Sequence, residues 1–205
     1  NKPGKGSVLF AVSGGGNSTS DDFSITTTYP GGDFTASPEI VEKKTEYIHS
    51  MPVTLSATFR WNFNRRWAVN TGLRYTYLST KIYEKTIKNS FGIGDMNRKQ
   101  QIHYIGIPLN ASYSFWCSPK WNGYVSAGAV MEFPVAASID GVKMNAPFMW
   151  AAEAGLGMQY DITDHLGIYV DCNIQYFFNT GSEIRNAWTD RPLGVSIPIG
   201  IRYTW

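Results

Sequence analysis

The sequence predicts an all-β protein: a transmembrane, antiparallel, up-and-down β-barrel of about eight strands, with short periplasmic turns and long extracellular loops. Three observations predict it. Segments of roughly ten residues alternate large apolar with small or polar side chains along most of the chain, the two-residue period of a strand with one greasy and one wet face. The connections alternate between short and long, as in outer-membrane barrels, whose short turns lie in the periplasm. Tryptophans collect beside the short connections and at the C-terminus, where indole rings prefer the headgroup level of a bilayer.

Composition sets the bounds. A chain of 205 residues suits one domain, and we read 1–205 as a single barrel domain. No run approaches the roughly 18 to 20 apolar residues of a spanning helix. A mean hydropathy of -0.22 is compatible with a barrel, because only every second strand residue faces lipid. High aromatic content (15%), 20 Gly and few charged residues (17%) fit an aromatic-girdled β structure. A net charge of +2 is too small to point to nucleic acid, so none is expected as a partner. Cys117 and Cys172 give no disulfide framework.

The elements follow in order. Asn1 to Gly6 is polar and reads as a linker or the cut end of a longer precursor. Ser7 to Ser13 is a strand with Val8, Phe10 and Val12 on one face. Gly14 to Pro38 is polar and lacks usable periodicity, so 14–49 is expected to be mostly a long extracellular loop. Met51 to Trp61 alternates cleanly, turns through Phe63-Asn-Arg-Arg66, and returns as Trp67 to Tyr77. A polar segment from Ile82 to Gln100 precedes a fourth strand, His103 to Phe115. Tyr124 to Phe133, Trp150 to Tyr160 and Ile168 to Phe178 are the next three, and Gly194 to Trp205 alternates without a slip as the last. Pro108 and Pro198 both fall at inward parity, where the missing ladder hydrogen bond needs a bulge or water.

The inward positions collect Arg60, Arg74 and Arg202 against Glu132, Glu153 and Asp171. An eight-stranded barrel is just wide enough to be filled by side chains, so these six are expected to pair and plug the lumen. Glu153, Asp171 and Arg202, on consecutive strands, are the expected partners, since leaving them unpaired costs several kcal/mol each. An ion pathway is the other reading, because charges inside a membrane are functional suspects. The outward Trp61, Trp67, Trp116, Trp121, Tyr203 and Trp205 are the expected interface aromatics. His49 and His103 share outward parity and His165 lies in a turn, so no catalytic triad converges. Acidic residues of the first loop lack EF-hand spacing, and Gly14-Gly-Gly16 lacks the phosphate-loop pattern. No catalytic, cofactor or metal residues are assigned.

Tyr104-Ile-Gly-Ile-Pro-Leu-Asn-Ala-Ser-Tyr113, Tyr124-Val-Ser-Ala-Gly128, Gly167-Ile-Tyr169, Asp190-Arg-Pro-Leu193 and Gly200-Ile-Arg-Tyr-Thr-Trp205 resemble the outer-membrane β-barrel (porin-like) family of Bacteroidota, related in architecture to small OmpA- and OmpX-like barrels. The resemblance runs from about Met51 to Trp205. It is closest to the C-terminal barrel of dual-membrane-spanning anti-sigma factors, and supplies no catalytic residues. It implies a bacterial outer-membrane location, lipid as surroundings, and a protein partner engaged through the extracellular loops or an upstream periplasmic segment. The expected function is a non-enzymatic anchor, sensor or interaction domain, with a narrow small-solute channel as the alternative.

Overall fold

The computed structural model describes residues 6–16, 18–28, 39–88, 92–178, 188 and 192–205. Its strands are β1 (Gly6–Gly14), β2 (Ser18–Thr28), β3 (Glu39–His49), β4 (Val53–Asn62), β5 (Trp67–Lys88), β6 (Gly92–Cys117), β7 (Trp121–Ile139), β8 (Val142–Lys143), β9 (Met149–Asp161), β10 (Leu166–Phe178), β11 (Leu193–Ser196) and β12 (Ile199–Thr204). All pairings are antiparallel, and β1 pairs with β12 on one side and β4 on the other, so the sheet closes. With β1–β2, β3–β4 and β11–β12 each continuing one stave and β8 a short flange on β7, twelve segments make eight staves.

Alternation in sequence becomes alternation in exposure. Along β4 every odd residue from Val53 to Trp61 is exposed while Arg60 and Asn62 are buried. Leu73 and Leu109 on the outside are each 60% exposed, whereas Glu132 on the inside is 0% exposed. The fold is therefore inside-out relative to a water-soluble core: the apolar face looks away from the barrel, and hydrocarbon must cover it. Trp61, Trp67, Trp116, Trp121, Tyr203 and Trp205 are all exposed and ring the short-turn end. Neighbours support one another there: Phe59 and Trp205 ring centroids lie 5.9 Å apart, Trp67 and Tyr113 5.0 Å, and Trp121 and Tyr160 4.8 Å.

Three expectations are corrected. Residues 14–49 are not mostly loop: β2 and β3 pair along their whole length, and β3 pairs with the upper part of β5. Within the polar segment 82–100, residues 82–88 and 92–100 likewise continue β5 and β6, which stay paired up to Lys88 and Gly92, and 89–91 lie outside the described residues. Both segments rise above the apolar band as one four-stranded ribbon. Water bathes both faces of β2, as the exposed run from Asp21 to Thr27 records, and Ile82 and Gln100 are the last buried described side chains of β5 and β6, so the apolar period that reveals a strand is lost beyond them. β-branched and aromatic content (Phe23, Ile25, Thr26, Tyr83) still favours extended backbone. The last strand, third, is interrupted at Ile197–Pro198, because proline has no N–H for the ladder. Pro108 has a comparable effect: β5–β6 pairing lapses between Thr71–Leu109 and Arg74–Gly106.

The breaks after β1 and β3 each shift parity by one residue. Phe10 and Val12 point outward from β1, yet Phe23 and Ile25 do so from β2. The same shift across Ser50 to Pro52 turns His49 inward, 1% exposed and 2.9 Å from the Thr80 hydroxyl, where outward parity was expected.

Assigned faces are directly testable. Ile199→Arg, on the apolar exterior, is expected to lower unfolding free energy by about 2–4 kcal/mol, and Ser196→Arg, pointing into the lumen, by clearly less. Urea unfolding of both variants in lipid vesicles measures the difference.

Candidate functional site: a layered barrel interior

Strand parity sends six ionisable side chains inward: Arg60 from β4, Arg74 from β5, Glu132 from β7, Glu153 from β9, Asp171 from β10 and Arg202 from β12. They form two tiers. In the middle of the barrel the Arg74 guanidinium donates to Glu132 Oε1 through Nε (3.0 Å) and Nη2 (2.8 Å), and to Glu153 Oε2 through Nη1 (3.0 Å). β5 and β9 stand three staves apart in a ring of eight, so this bridge crosses the lumen. Asn110 Nδ2 and Gln175 Nε2 donate to Glu153 from either side, at 3.1 and 2.6 Å. Gly106, directly opposite Glu132 on β6, makes the room: a Cβ there would come 2.6 Å from Glu132 Oε2.

The second tier lies toward the short turns. Arg60, 1% exposed, sits with its guanidinium carbon 4.9 Å from the centroid of the Tyr124 ring and donates through Nε to Asn62 Oδ1 at 3.4 Å. The Tyr124 hydroxyl donates to Asp171 Oδ1 at 2.6 Å. Arg202 Nη1 donates to Gln159 Oε1, and Gln159 Nε2 to Asp161 Oδ1. Expected pairing among Glu153, Asp171 and Arg202 is thus corrected: Glu153 takes Arg74, Asp171 takes Tyr124, and Arg202 takes Gln159. The reason is height along the barrel. Glu153 pairs with Gln175 across β9–β10, whereas Arg202 lies opposite Gly167 near the turn, too far down its strand to reach.

Formal charges differ between tiers. Arg74 with two glutamates sums to -1, whereas Arg60 and Arg202 with Asp171 and Asp161 sum to 0. A cavity of about 90 Å³ separates them. Charged groups in a low-dielectric interior attract strongly when unscreened, so each tier is held by its own close partners.

Above the charges the lumen turns apolar. Leu78, Ile102, Tyr104, Val130, Met149, Phe177 and Trp188 form a buried cluster. Trp188, 8% exposed, stacks on Phe177 with centroids 4.2 Å apart and planes within 10°. Trp188 lies in a stretch of sequence with no strand period, and nothing in it announces an inward side chain. Tyr124 and Gln159 were visible as inward by parity but carried no charge to single them out. A cavity of about 230 Å³ lies between this cap and Arg74, and another of about 500 Å³ opens at the short-turn mouth.

The remaining histidines do not join these tiers. His103 Nδ1 lies 2.6 Å from the Tyr75 hydroxyl on the exterior, and His165 Nδ1 lies 2.9 Å from the Thr204 carbonyl in a turn. Among the described residues no three His, Cys, Asp or Glu side chains gather as a metal site would require.

Comparison with known proteins gives the family context. The family profile described as "Outer membrane protein beta-barrel domain" matches residues 6–179. No curated protein sequence matches significantly. The crystal structure of outer membrane protein OprG from Pseudomonas aeruginosa is similar at TM-score 0.60 and 13% identity, covering 100% of this chain and 97% of that one. Ail, the attachment invasion locus protein of Yersinia pestis, solved with the heparin analogue sucrose octasulfate, is similar at TM-score 0.52 and 12% identity, covering 99% of both. At such identities the likeness is one of fold.

Removing Arg74 leaves two buried carboxylates without their cation. Arg74→Ala is therefore expected to destabilise the barrel by about 3–5 kcal/mol, while a triple change to Met, Gln and Gln at 74, 132 and 153 recovers most of that loss. Urea midpoints of the two variants in vesicles check the ordering.

Proposed function

Because this chain belongs to the family of outer membrane protein β-barrel domains, we propose that it acts as a non-enzymatic anchor that holds an interaction surface above the membrane. It resides in the bacterial outer membrane. The observation that carries the reading is the Arg74 bridge, which ties β5 to β7 and β9 across the lumen. A solute moving through would have to break it and then displace the Trp188–Phe177 stack. Meanwhile the ribbon of β2, β3 and the upper parts of β5 and β6 projects from the long-connection side. Its polar and charged faces suit a protein partner.

In the fuller form of this proposal the barrel is the C-terminal part of an envelope-spanning anti-sigma regulator. β1 starts at the short-turn end, the side on which a periplasmic segment would join. The narrow small-solute channel is the second reading, favoured by the three cavities stacked along the lumen.

Planar-bilayer recording separates them. The purified barrel is expected to give no steady conductance, and the Arg74→Ala/Glu132→Ala double variant to give measurable channels. Steady channels of defined size from the unaltered barrel would replace the anchor with the channel.

A further inference from the structure

The outside of the barrel is not uniform. On β1, β4, β5 and β6 the apolar surface is hollowed into a groove of about 380 Å³ bordered by Phe10, Leu55, Leu73, Tyr75 and Ile105. Ala57 is its floor, one methyl group among large neighbours: it lies between Phe10 on β1 and Leu73 on β5. The groove occupies the half of the apolar band away from the short turns, since Trp67 marks one end of the β5 band and Tyr77 the other.

Directly above, on the same strands, the surface becomes hydrogen-bonding. Tyr75 meets His103 at 2.6 Å, Tyr77 packs 5.1 Å from the same ring, and Gln101 Nε2 donates to the Tyr77 hydroxyl. Two outward steps beyond Tyr77 comes Lys81, cross-strand partner of Lys99. Both are exposed, and the buried Thr80, Ile82 and Gln100 beside them fix their outward parity. Like charges directly opposite in a sheet repel, and among the described residues neither lysine forms an ion pair. Asp140, the nearest acid across β6, uses its Oδ1 to accept from the Lys99 backbone N–H at 2.8 Å; Glu46 stands one row higher, opposite Tyr83.

Height along the barrel matters here. At roughly 3.3 Å per residue and a tilt of roughly 35–45°, Lys81 stands about 10 Å above Tyr77. A lysine stem reaches back toward the interface by several ångströms, so both ammonium groups fall within the headgroup layer.

An acyl-sized groove, then hydroxyl and imidazole groups, then two unpaired cations follow one another in the vertical order of a lipid molecule. We propose that this face, from Ala57 through Tyr77 to Lys81 and Lys99, binds a phosphorylated lipid of the outer leaflet. The chain fills the groove and the phosphate sits between the two lysines, relieving their repulsion. This inference rests on the outer-membrane location and not on whether the lumen conducts.

Native mass spectrometry of the full chain, released from detergent after incubation with bis-phosphorylated lipid A, tests it. One lipid per barrel is expected to remain. The Lys81→Gln/Lys99→Gln variant should bind about 30-fold more weakly, each lysine near an anionic headgroup contributing a factor of about five. Dephosphorylated lipid A should show a similar loss on the unaltered protein. Ala57→Phe, which fills the groove, should weaken binding severalfold, and Arg65→Gln, in a turn at the far end, should leave it unchanged. Heat-modifiable gel mobility confirms that each variant is folded. Equal retention by the double lysine variant overturns the proposal. So does displacement of the lipid by about 10 mM inorganic phosphate, which would make the lysines a free-phosphate site. A dimer abolished by Ala57→Phe with lipid binding intact would assign the groove to a second copy instead.

Discussion

Closure of the backbone hydrogen-bond ring is the constraint from which the rest follows. In hydrocarbon an unpaired N–H or C=O costs several kcal/mol, so a sheet can cross a membrane only when it has no edge. β1 meets both β4 and β12, and that one seam converts an open meander into a barrel. Once the ring is closed, side chains have only two directions. Those facing out must tolerate lipid, which selects Phe10, Leu55, Leu73 and Ile199; those facing in must fill a narrow lumen. The two prolines obey the same rule, since Pro108 and Pro198 occupy inward positions, where polar groups and water can meet the carbonyls they leave unmatched. Above the bilayer the rule lapses. Among the described residues β2 pairs with β3 alone, and its other edge stands above the bilayer, where water can satisfy it.

How much of this was legible in the sequence depends on where each strand lies. Val53 to Trp61 has lipid on one face and lumen on the other, so its period-2 signal is strong. Asp21 to Thr27 has water on both faces, so the same backbone conformation leaves no periodic trace, and 14–49 reads as loop. His49 shows a subtler limit. In the sequence it continues the outward parity of β4, but the break at Ser50 to Pro52 inserts one residue and reverses the faces, as register shifts always do. Charged lumen residues were visible as a set because parity alone places them. Their partners were not, because pairing depends on height and on stave position around the ring, neither of which is a property of sequence spacing.

Interior chemistry is set by the same narrowness. A lumen this small cannot hydrate six charges fully, and each buried ion carries a desolvation penalty of several kcal/mol. Two arrangements reduce it. Arg74 makes three hydrogen bonds to two carboxylates at once, a fork geometry that lysine lacks. Arg60 places its planar cation over Tyr124, a partner whose ring face is electron-rich and whose hydroxyl already serves Asp171. Glycine does the spatial work: Gly106 opposite Glu132, and Gly157 beneath Asp171 and Tyr124, are positions where any Cβ would strike the polar groups.

An apolar filling could have packed the lumen with less desolvation, so the charged interior calls for its own explanation. Strands that were greasy on both faces would cross water poorly on their way to a membrane and would pair with one another indiscriminately. One polar face keeps each strand amphipathic and fixes its register, because a one-residue slip would send Arg74 or Glu132 into lipid. The ion bridge then acts after closure, joining staves that the backbone ladder never connects directly. Opening such a lumen for transport would require separating Arg74 from both glutamates and lifting Trp188 from Phe177. Exposing a surface above the membrane requires neither, and the paired ribbon of β2, β3, β5 and β6 already stands there.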